Sequence, residues 1–449
     1  MEVSRYYKEL CEKYTDRTAI SGGMFEKAKL YLAGGETRTV SYYPPYPLTI
    51  VSGKGCLVRD ADGNSYIDCV NNYTSLLHGH ANDMIANAIC DAARKGTAMP
   101  AGIEDQVKLA QLLCSRVPGV ERIRFCNSGT EATLFATRAA KVYTGKPGII
   151  KILGGYHGTT DMMEYNVSPV INYEHPEEML IPRPDIGGVS EKIAEEMYIV
   201  PYNDLEAVKK VLEEHHNEIA GMILEPFLGA GGVIPAKKEY LDGLRKLTRE
   251  YDVLLIFDEV QSFRLSTGGA QKMYGVIPDI TAFAKIIGGG LPVGAVGGSQ
   301  EIMDVFNPLR KDHVTQSGTF NGNRATMAAG YAAMIQYDQK ACDRINGYGE
   351  ELQKLIEKAF QKSGIPGCVT RSGSILNYHF LEKRPEDYIA VTKGNHELGK
   401  LLHLELLERG VFVAPRGMMA LSTAMTEDTI KELGEVFEDA LQVMANRLD

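Results

Sequence analysis

Lys285 opens the run Lys285-Ile286-Ile287-Gly288-Gly289-Gly290-Leu291-Pro292, in which a primary amine precedes glycines that let backbone pass close to a ligand. Lysine is the residue whose amine forms Schiff bases with carbonyl compounds. Most lysines are solvated surface groups, and Lys285 stands apart through its apolar, glycine-rich setting and through what precedes it. Upstream, Val253-Leu254-Leu255-Ile256-Phe257-Asp258-Glu259-Val260 reads as a buried strand that ends in carboxylates. Ligands of open α/β sheets bind at the carboxyl ends of the strands, so Asp258 is delivered to a site. For an isolated strand-end aspartate, capping of the next helix is the plainer role.

Two further turns carry binding chemistry. Arg124-Phe125-Cys126 leads into Asn127-Ser128-Gly129-Thr130-Glu131-Ala132 at the start of a helix, where backbone amides and hydroxyls of Ser128, Gly129 and Thr130 suit an anion such as phosphate. The same residues also spell a capping box, an equally good reading of the turn taken alone. Gly154-Gly155-Tyr156-His157-Gly158 ends the following βα unit and places an aromatic ring where it can stack on a flat ligand; a core tyrosine is the commoner fate. Carboxylate, lysine, anion turn and stacking ring together suit pyridoxal phosphate. An aspartate beside the ring nitrogen keeps it protonated, and the ring then serves as an electron sink.

These residues need a scaffold of alternating strands and helices. Short apolar runs at Ile123–Cys126, Gly148–Leu153, Gly221–Glu225 and Val253–Phe257 alternate with helical stretches such as Ala132–Tyr143 and Leu205–His215, which implies a largely parallel sheet. The Pro- and Tyr-rich passage Tyr42–Pro47 reads as loop, and the C-terminal third mixes a strand near Ser374–Phe380 with helices at Asn395–Arg409 and Glu427–Asn446. The expected organisation is α/β: a larger domain over residues 66–325 and a smaller α+β domain built from 1–65 and 326–449.

Composition narrows the function. A formal charge of -10 with no basic tract argues against a nucleic-acid ligand, whose binding rests on phosphate neutralisation. The N-terminal residues Met1–Leu10 are charged and no uncharged apolar stretch is long enough to span a bilayer, so a cytoplasmic enzyme without membrane partners is expected. Eight scattered cysteines with no C-x-x-C spacing fit a reducing compartment. His78-Gly79-His80 lacks cysteine or carboxylate company, and no metal is expected.

The ordered set of the N-S-G-T-E-A turn, the G-Y-H-G turn, F-D-E-V and K-I-I-G-G-G, from about Gly34 to the C-terminus, resembles the fold type I, class III aminotransferases. The resemblance implies pyridoxal 5'-phosphate held by Lys285 as a Schiff base, with Asp258 as its catalytic partner. It adds Tyr156, His157, Glu225, Val260 and Thr319 to Ser128, Gly129 and Thr130 as cofactor contacts. Thr319, in Ser317–Asn323, resembles a threonine that reaches the phosphate of a neighbouring subunit, which implies a homodimer with shared sites.

Two groups within the family are similar by motif: β-amino acid (β-phenylalanine type) aminotransferases and glutamate-1-semialdehyde 2,1-aminomutases. Asp258-Glu259-Val260-Gln261-Ser262-Phe263-Arg264-Leu265 is one residue tighter than the mutase pattern, and Arg38 and Arg416 match candidate substrate-carboxylate clamps of the first group. A serine- and glycine-rich gating loop is not evident in Asp161–Pro184. The expectation is therefore transfer of an amino group from a β-amino acid to a 2-oxo acid, with the aminomutase as the alternative.

Overall fold

The computed structural model describes residues 3–448; Met1, Glu2 and Asp449, the outermost residues of the terminal segments assigned to the smaller domain, lie outside the described residues. The chain forms two compact units, the larger made of residues 83–343 and 385–392 and the smaller of the remainder. The junctions fall at Asn82 and Asp343, later than the 65 and 325 expected from sequence. Strand pairing explains the first shift, because Ser65–Asp68 pairs with Leu57–Asp60 and Val411–Phe412 of the smaller unit. Helix packing explains the second, since Arg324–Gln336 packs on Asp83–Arg94 and Glu104–Arg116 of the larger.

The larger unit is built on seven strands: β1 Arg122–Cys126, β2 Gly148–Ile152, β3 Met197–Val200, β4 Ile219–Leu224, β5 Leu254–Asp258, β6 Ile280–Ala284 and β7 Gly294–Gly298. Their order in the sheet is β1-β7-β6-β5-β4-β2-β3. Only β7 runs against the others, pairing antiparallel with both β6 and β1. Parallel strands covered on both faces read as unbroken apolar runs, and β2, β4 and β6 are buried at every residue. β7, Gly-Ala-Val-Gly-Gly, has no such run. Its backbone lies so close to the β1–helix junction that a Cβ on Gly294 would stand 2.0 Å from the Ser128 carbonyl oxygen, which accounts for the glycine.

Helices α1 Gly129–Thr144, α2 Leu205–His215 and α3 Lys238–Glu250 follow strands β1, β3 and β4. α1 presents Ala132, Phe135, Ala136, Ala139 and Ala140 to the sheet, small residues that let the helix lie close. α2 begins at the N-cap Asp204, whose side chain accepts the Ala207 N–H. With each helix returning the chain to the start of the next strand, the strands end along one edge, and the motif residues are gathered there.

The smaller unit has its own core, in which the helices Val3–Arg17, His396–Glu408 and Glu427–Leu448 contribute Tyr6, Leu401, Leu404, Leu433 and Phe437. It holds an antiparallel meander Ile50–Lys54, Leu57–Asp60 and Ser65–Asp68, and a three-stranded antiparallel sheet of Cys368–Ser372, Ile375–His379 and Met418–Ala420.

Candidate active site

Asp258 is the last residue of β5, so the carboxyl edge of the sheet presents it. Its side chain is almost wholly buried; Oδ1 accepts the Val260 N–H at 3.0 Å and Oδ2 faces His157 Nδ1 at 2.8 Å. A carboxylate only accepts, so Nδ1 carries the proton, and the remaining Nε2 is buried without a partner. Burial holds the His157 imidazole below its ordinary pKa against the opposing pull of Asp258, which keeps the ring neutral. The neighbouring Glu259 serves the fold. It is buried and accepts the Ala270 and Gln271 amides at 2.7 and 2.9 Å and the Ser262 hydroxyl at 2.9 Å.

At the start of α1 the capping box forms: Ser128 Oγ accepts the Glu131 N–H at 3.1 Å, and Glu131 Oε2 accepts that of Asn127 at 2.6 Å. Capping and anion binding do not compete here. The box uses the amides of Asn127 and Glu131, and those of Gly129 and Thr130 have no acceptor among the described residues. The Gly154–Gly158 turn is seated on this first helical turn. Thr133 Oγ1 donates to the His157 carbonyl at 2.6 Å, and Thr130 comes so close that a Cβ on Gly158, at φ 88°, would lie 2.5 Å from its hydroxyl. Tyr156 is 39% exposed while His157 is buried, so consecutive residues of the turn face opposite ways. The Tyr156 N–H lies 3.4 Å from Glu225 Oε2.

Glu225 follows β4 and is buried, with Gly229 N donating to Oε1 at 3.3 Å. Burial, reinforced by the Asp258 charge, raises its carboxyl well above the usual range, and Lys285 offsets part of that shift. Lys285 is the first residue after β6 and sits at φ 53°, a left-handed conformation strained for a lysine. Its amine makes no hydrogen bond or ion pair among the described residues. Burial lowers its pKa, and the Asp258 and Glu225 charges oppose that shift. Val260 lines the same floor, with a methyl 3.2 Å from where a Cβ on Gly129 would stand.

Thr319 stands apart from this group. It is exposed together with Ser317, Gly318 and Phe320, and its segment is tied to the anion turn through Asn127 Nδ2, which donates to Asn321 Oδ1 at 2.7 Å. Arg38 and Arg416 belong to the smaller unit, both exposed, and both act on the Tyr73 hydroxyl. The Arg38 guanidinium lies 5.8 Å from the Tyr73 ring centre and donates to Asn72 Oδ1 at 2.6 Å. Asn71 to Thr74 run through four consecutive left-handed conformations, φ 47°, 48°, 53° and 75°. Such backbone costs about 1–2 kcal/mol per residue and needs support. Asp68 provides it, Oδ1 accepting the Val70 and Asn71 amides at 2.8 and 2.9 Å and Oδ2 meeting His80 Nε2 at 2.7 Å. His78 Nδ1 meets Thr423 Oγ1 at 2.8 Å, so both histidines of the His78-Gly79-His80 motif have partners within the smaller unit.

Sequence reasoning did not single out Thr133, which carries the turn, or Lys151, a fully buried lysine in β2. Lys151 had a legible signal, as the one charged residue in the run Gly148–Gly155. The residues fit pyridoxal 5'-phosphate by their unfilled chemistry. An amine without a partner, two free helix-terminal amides and a buried carboxylate with a neutral histidine behind it all lie on one edge of the larger unit.

A family model described as aminotransferase class-III matches residues 40–441. The chain is 38% identical over 92% of its length to a glutamate-1-semialdehyde 2,1-aminomutase of Methanocaldococcus jannaschii, covering 97% of that protein, and 39% identical to one of Persephonella marina over 93% and 97%. Among solved structures, an omega-transaminase from Sphaerobacter thermophilus superposes with a TM-score of 0.90 at 38% identity, over 94% of this chain and 97% of that one.

These relatives overturn the expectation of a β-amino acid aminotransferase, because both of these curated proteins, similar over more than nine-tenths of the chain, are aminomutases. The turn after Asp258 forms a 3-10 segment, Ser262–Leu265, in which Arg264 is wholly buried, its carbonyl accepts the Tyr337 hydroxyl and Phe263 packs edge-on against Phe283. Phe263 and Arg264 of this segment therefore belong to the packed interior. An arginine pair identifies a carboxylate, and not how far that carboxylate lies from the reacting amine.

Proposed function

The chain belongs to the class-III aminotransferases, and from that premise we propose that it is a glutamate-1-semialdehyde 2,1-aminomutase, exchanging the amino and oxo groups on adjacent carbons of one substrate. What supports this reading is similarity, over more than nine-tenths of the chain, to proteins of that name. Pyridoxal 5'-phosphate is the cofactor of the family; when bound it supplies an aldehyde that takes up amines and a ring that draws electrons from the adjoining carbon.

The residues divide the work. Lys285 Nζ, its pKa lowered by burial, holds the cofactor covalently between turnovers. As a free amine it would carry a proton between the substrate carbon that bears the amino group and the cofactor carbon joined to that amino group. Asp258 holds a proton at the ring nitrogen, and His157 orients Asp258 through Nδ1. The Gly129 and Thr130 amides, which have no acceptor among the described residues, would bind phosphate with the Ser128 hydroxyl, and Tyr156, Val260 and Glu225 would hold the ring. Arg38 and Arg416 bind the substrate carboxylate. Thr319 reaches the phosphate of a second copy, so the working enzyme is a homodimer, and its exposure leaves it available for that contact. All eight cysteines are unpaired, which supports a cytoplasmic setting; no helix among the described residues is long and apolar enough to cross a membrane.

Incubation of the purified enzyme with glutamate 1-semialdehyde alone tests the reading. The expected product is 5-aminolevulinate, formed without any external acceptor. Turnover of amine donors only when a 2-oxo acid is added, with no 5-aminolevulinate from the semialdehyde, would overturn it.

A further inference from the structure

Lys151 lies inside β2, flanked by Ile150 and Ile152, and none of its surface is accessible. Lysine is almost never fully buried unless its charge is paired, because desolvating an ammonium is costly. No carboxylate pairs with it among the described residues. Its Nζ instead donates to two backbone carbonyls, those of Gly155 at 2.6 Å and Tyr165 at 2.8 Å. A side chain needed only to fill this space could be methionine or leucine, with no ammonium to desolvate.

The two carbonyls are ten residues apart and bracket the loop that carries Tyr156 and His157. The loop is closed once through its backbone, where Gly154 N donates to the Asn166 carbonyl at 2.8 Å, and Lys151 is the second tie. Gly155 is one residue from Tyr156, whose amide lies at Glu225 Oε2, and two from His157, whose Nδ1 meets Asp258. A shift of the Gly155 carbonyl is therefore transmitted to the stacking ring and to the imidazole–carboxylate pair together. We propose that Lys151 is a positioning residue for the cofactor: by holding the carbonyls of Gly155 and Tyr165, its amine fixes where the Tyr156 ring and the His157–Asp258 pair stand.

Two observations support this placement. Thr133 holds the His157 carbonyl from the helix side, so the loop is gripped from both the sheet and α1. Burial also brings the Lys151 pKa down to about 7, with Asp185, Glu225 and Glu164 opposing the shift. Because a neutral amine still has two N–H donors, both ties survive on either side of that value.

Lys151→Met keeps the length of the stem and removes the donors, and Lys151→Gln keeps one reachable donor group. The measurements are cofactor affinity by titration of the stripped enzyme, and the visible circular dichroism of bound cofactor, with melting temperature recorded alongside. The expected result is cofactor affinity weakened at least tenfold in Lys151→Met and by less in Lys151→Gln, with a visible dichroic band altered in the same order. A residue that merely fills space would lower the melting temperature and leave both cofactor readouts at wild-type values, and that outcome overturns the proposal. If Lys151→Met does not fold, Lys151→Gln decides by the same criterion. These readouts concern cofactor and not substrate, so wild-type values would sink this inference and leave the aminomutase reading untouched.

Discussion

His157 Nδ1 lies 2.8 Å from Asp258 Oδ2, joining the end of β5 to the turn after β2 through a contact between residues 101 apart in sequence. Both side chains are nearly inaccessible, and the imidazole is kept neutral by burial. Asp258→Asn should reduce turnover on the order of 10²- to 10³-fold, because the amide cannot hold the ring nitrogen's proton. His157→Phe should cost about ten- to a hundred-fold, the usual scale for a residue that orients a site group. Single-turnover rates at saturating substrate check both, and a His157 variant more impaired than the Asp258 variant would reverse the assigned order.

Lys285 should be the attachment point of the cofactor. Borohydride reduction of the yellow holoenzyme is expected to fix pyridoxyl mass on the peptide containing Lys285, and Lys285→Ala should bind cofactor only reversibly. Peptide mass spectrometry reads the result directly. Mass on another lysine, Lys151 included, would move the assignment.

Thr319 should serve the partner's site. When Lys285→Ala and Thr319→Ala chains are combined, a heterodimer then contains one site with both lesions and one with neither. Such mixtures should regain about half the specific activity of wild type per heterodimer, by the counting of sites. No recovery beyond the sum of the parents would place Thr319 within its own subunit's site.

Arg38 should act on substrate affinity more than on turnover. Losing a guanidinium that grips a carboxylate is expected to raise KM for the semialdehyde on the order of ten- to a hundred-fold, with kcat changed by less. Asn72→Ala, which removes the acceptor 2.6 Å from Arg38 Nη1, should give a smaller change in the same direction. A normal KM in Arg38→Ala would exclude the clamp.

His403 should make the protein acid-sensitive. It is buried against Tyr43, at 4.7 Å between ring centres, and neither ring nitrogen has a hydrogen-bond partner. Burial lowers its pKa from 6.5 to about 3, so between those values the unfolded chain binds a proton that the folded chain refuses. Stability must then fall as pH drops through that window, by about 2 kcal/mol at pH 5 from this group alone. His403→Leu should remove that part of the acid loss, as read by urea midpoints at pH 7.5 and pH 5. Equal acid losses in the two proteins would show that other groups carry the effect.

The sequence by itself determined the α/β class, because covered parallel strands read as mainly apolar runs, and Val253–Phe257 and, Lys151 apart, Gly148–Leu153 do so between helical stretches. It also determined the family, since four ordered motifs mark the edge where strands end. Local patterns carried that much because each depends on a few adjacent residues. What tertiary structure decided depends on residues far apart. β7 was not legible as a strand, since its glycines answer to close neighbours, Gly294 to the Ser128 carbonyl, Gly297 to Val120 and Gly298 to the Asp279 carbonyl, and not to burial of side chains. The role of Glu259 as a buried cap, beside an Asp258 aimed at His157, follows from which way two consecutive carboxylates face. The burial of Arg264, whose carbonyl accepts the Tyr337 hydroxyl from 73 residues away in sequence, was likewise not legible from the spacing of residues after Asp258. Lys151 was visible as a charge among isoleucines, but only the folded loop brings the Gly155 and Tyr165 carbonyls to its amine, because hydrogen bonds to backbone leave no trace in the residue types that accept them.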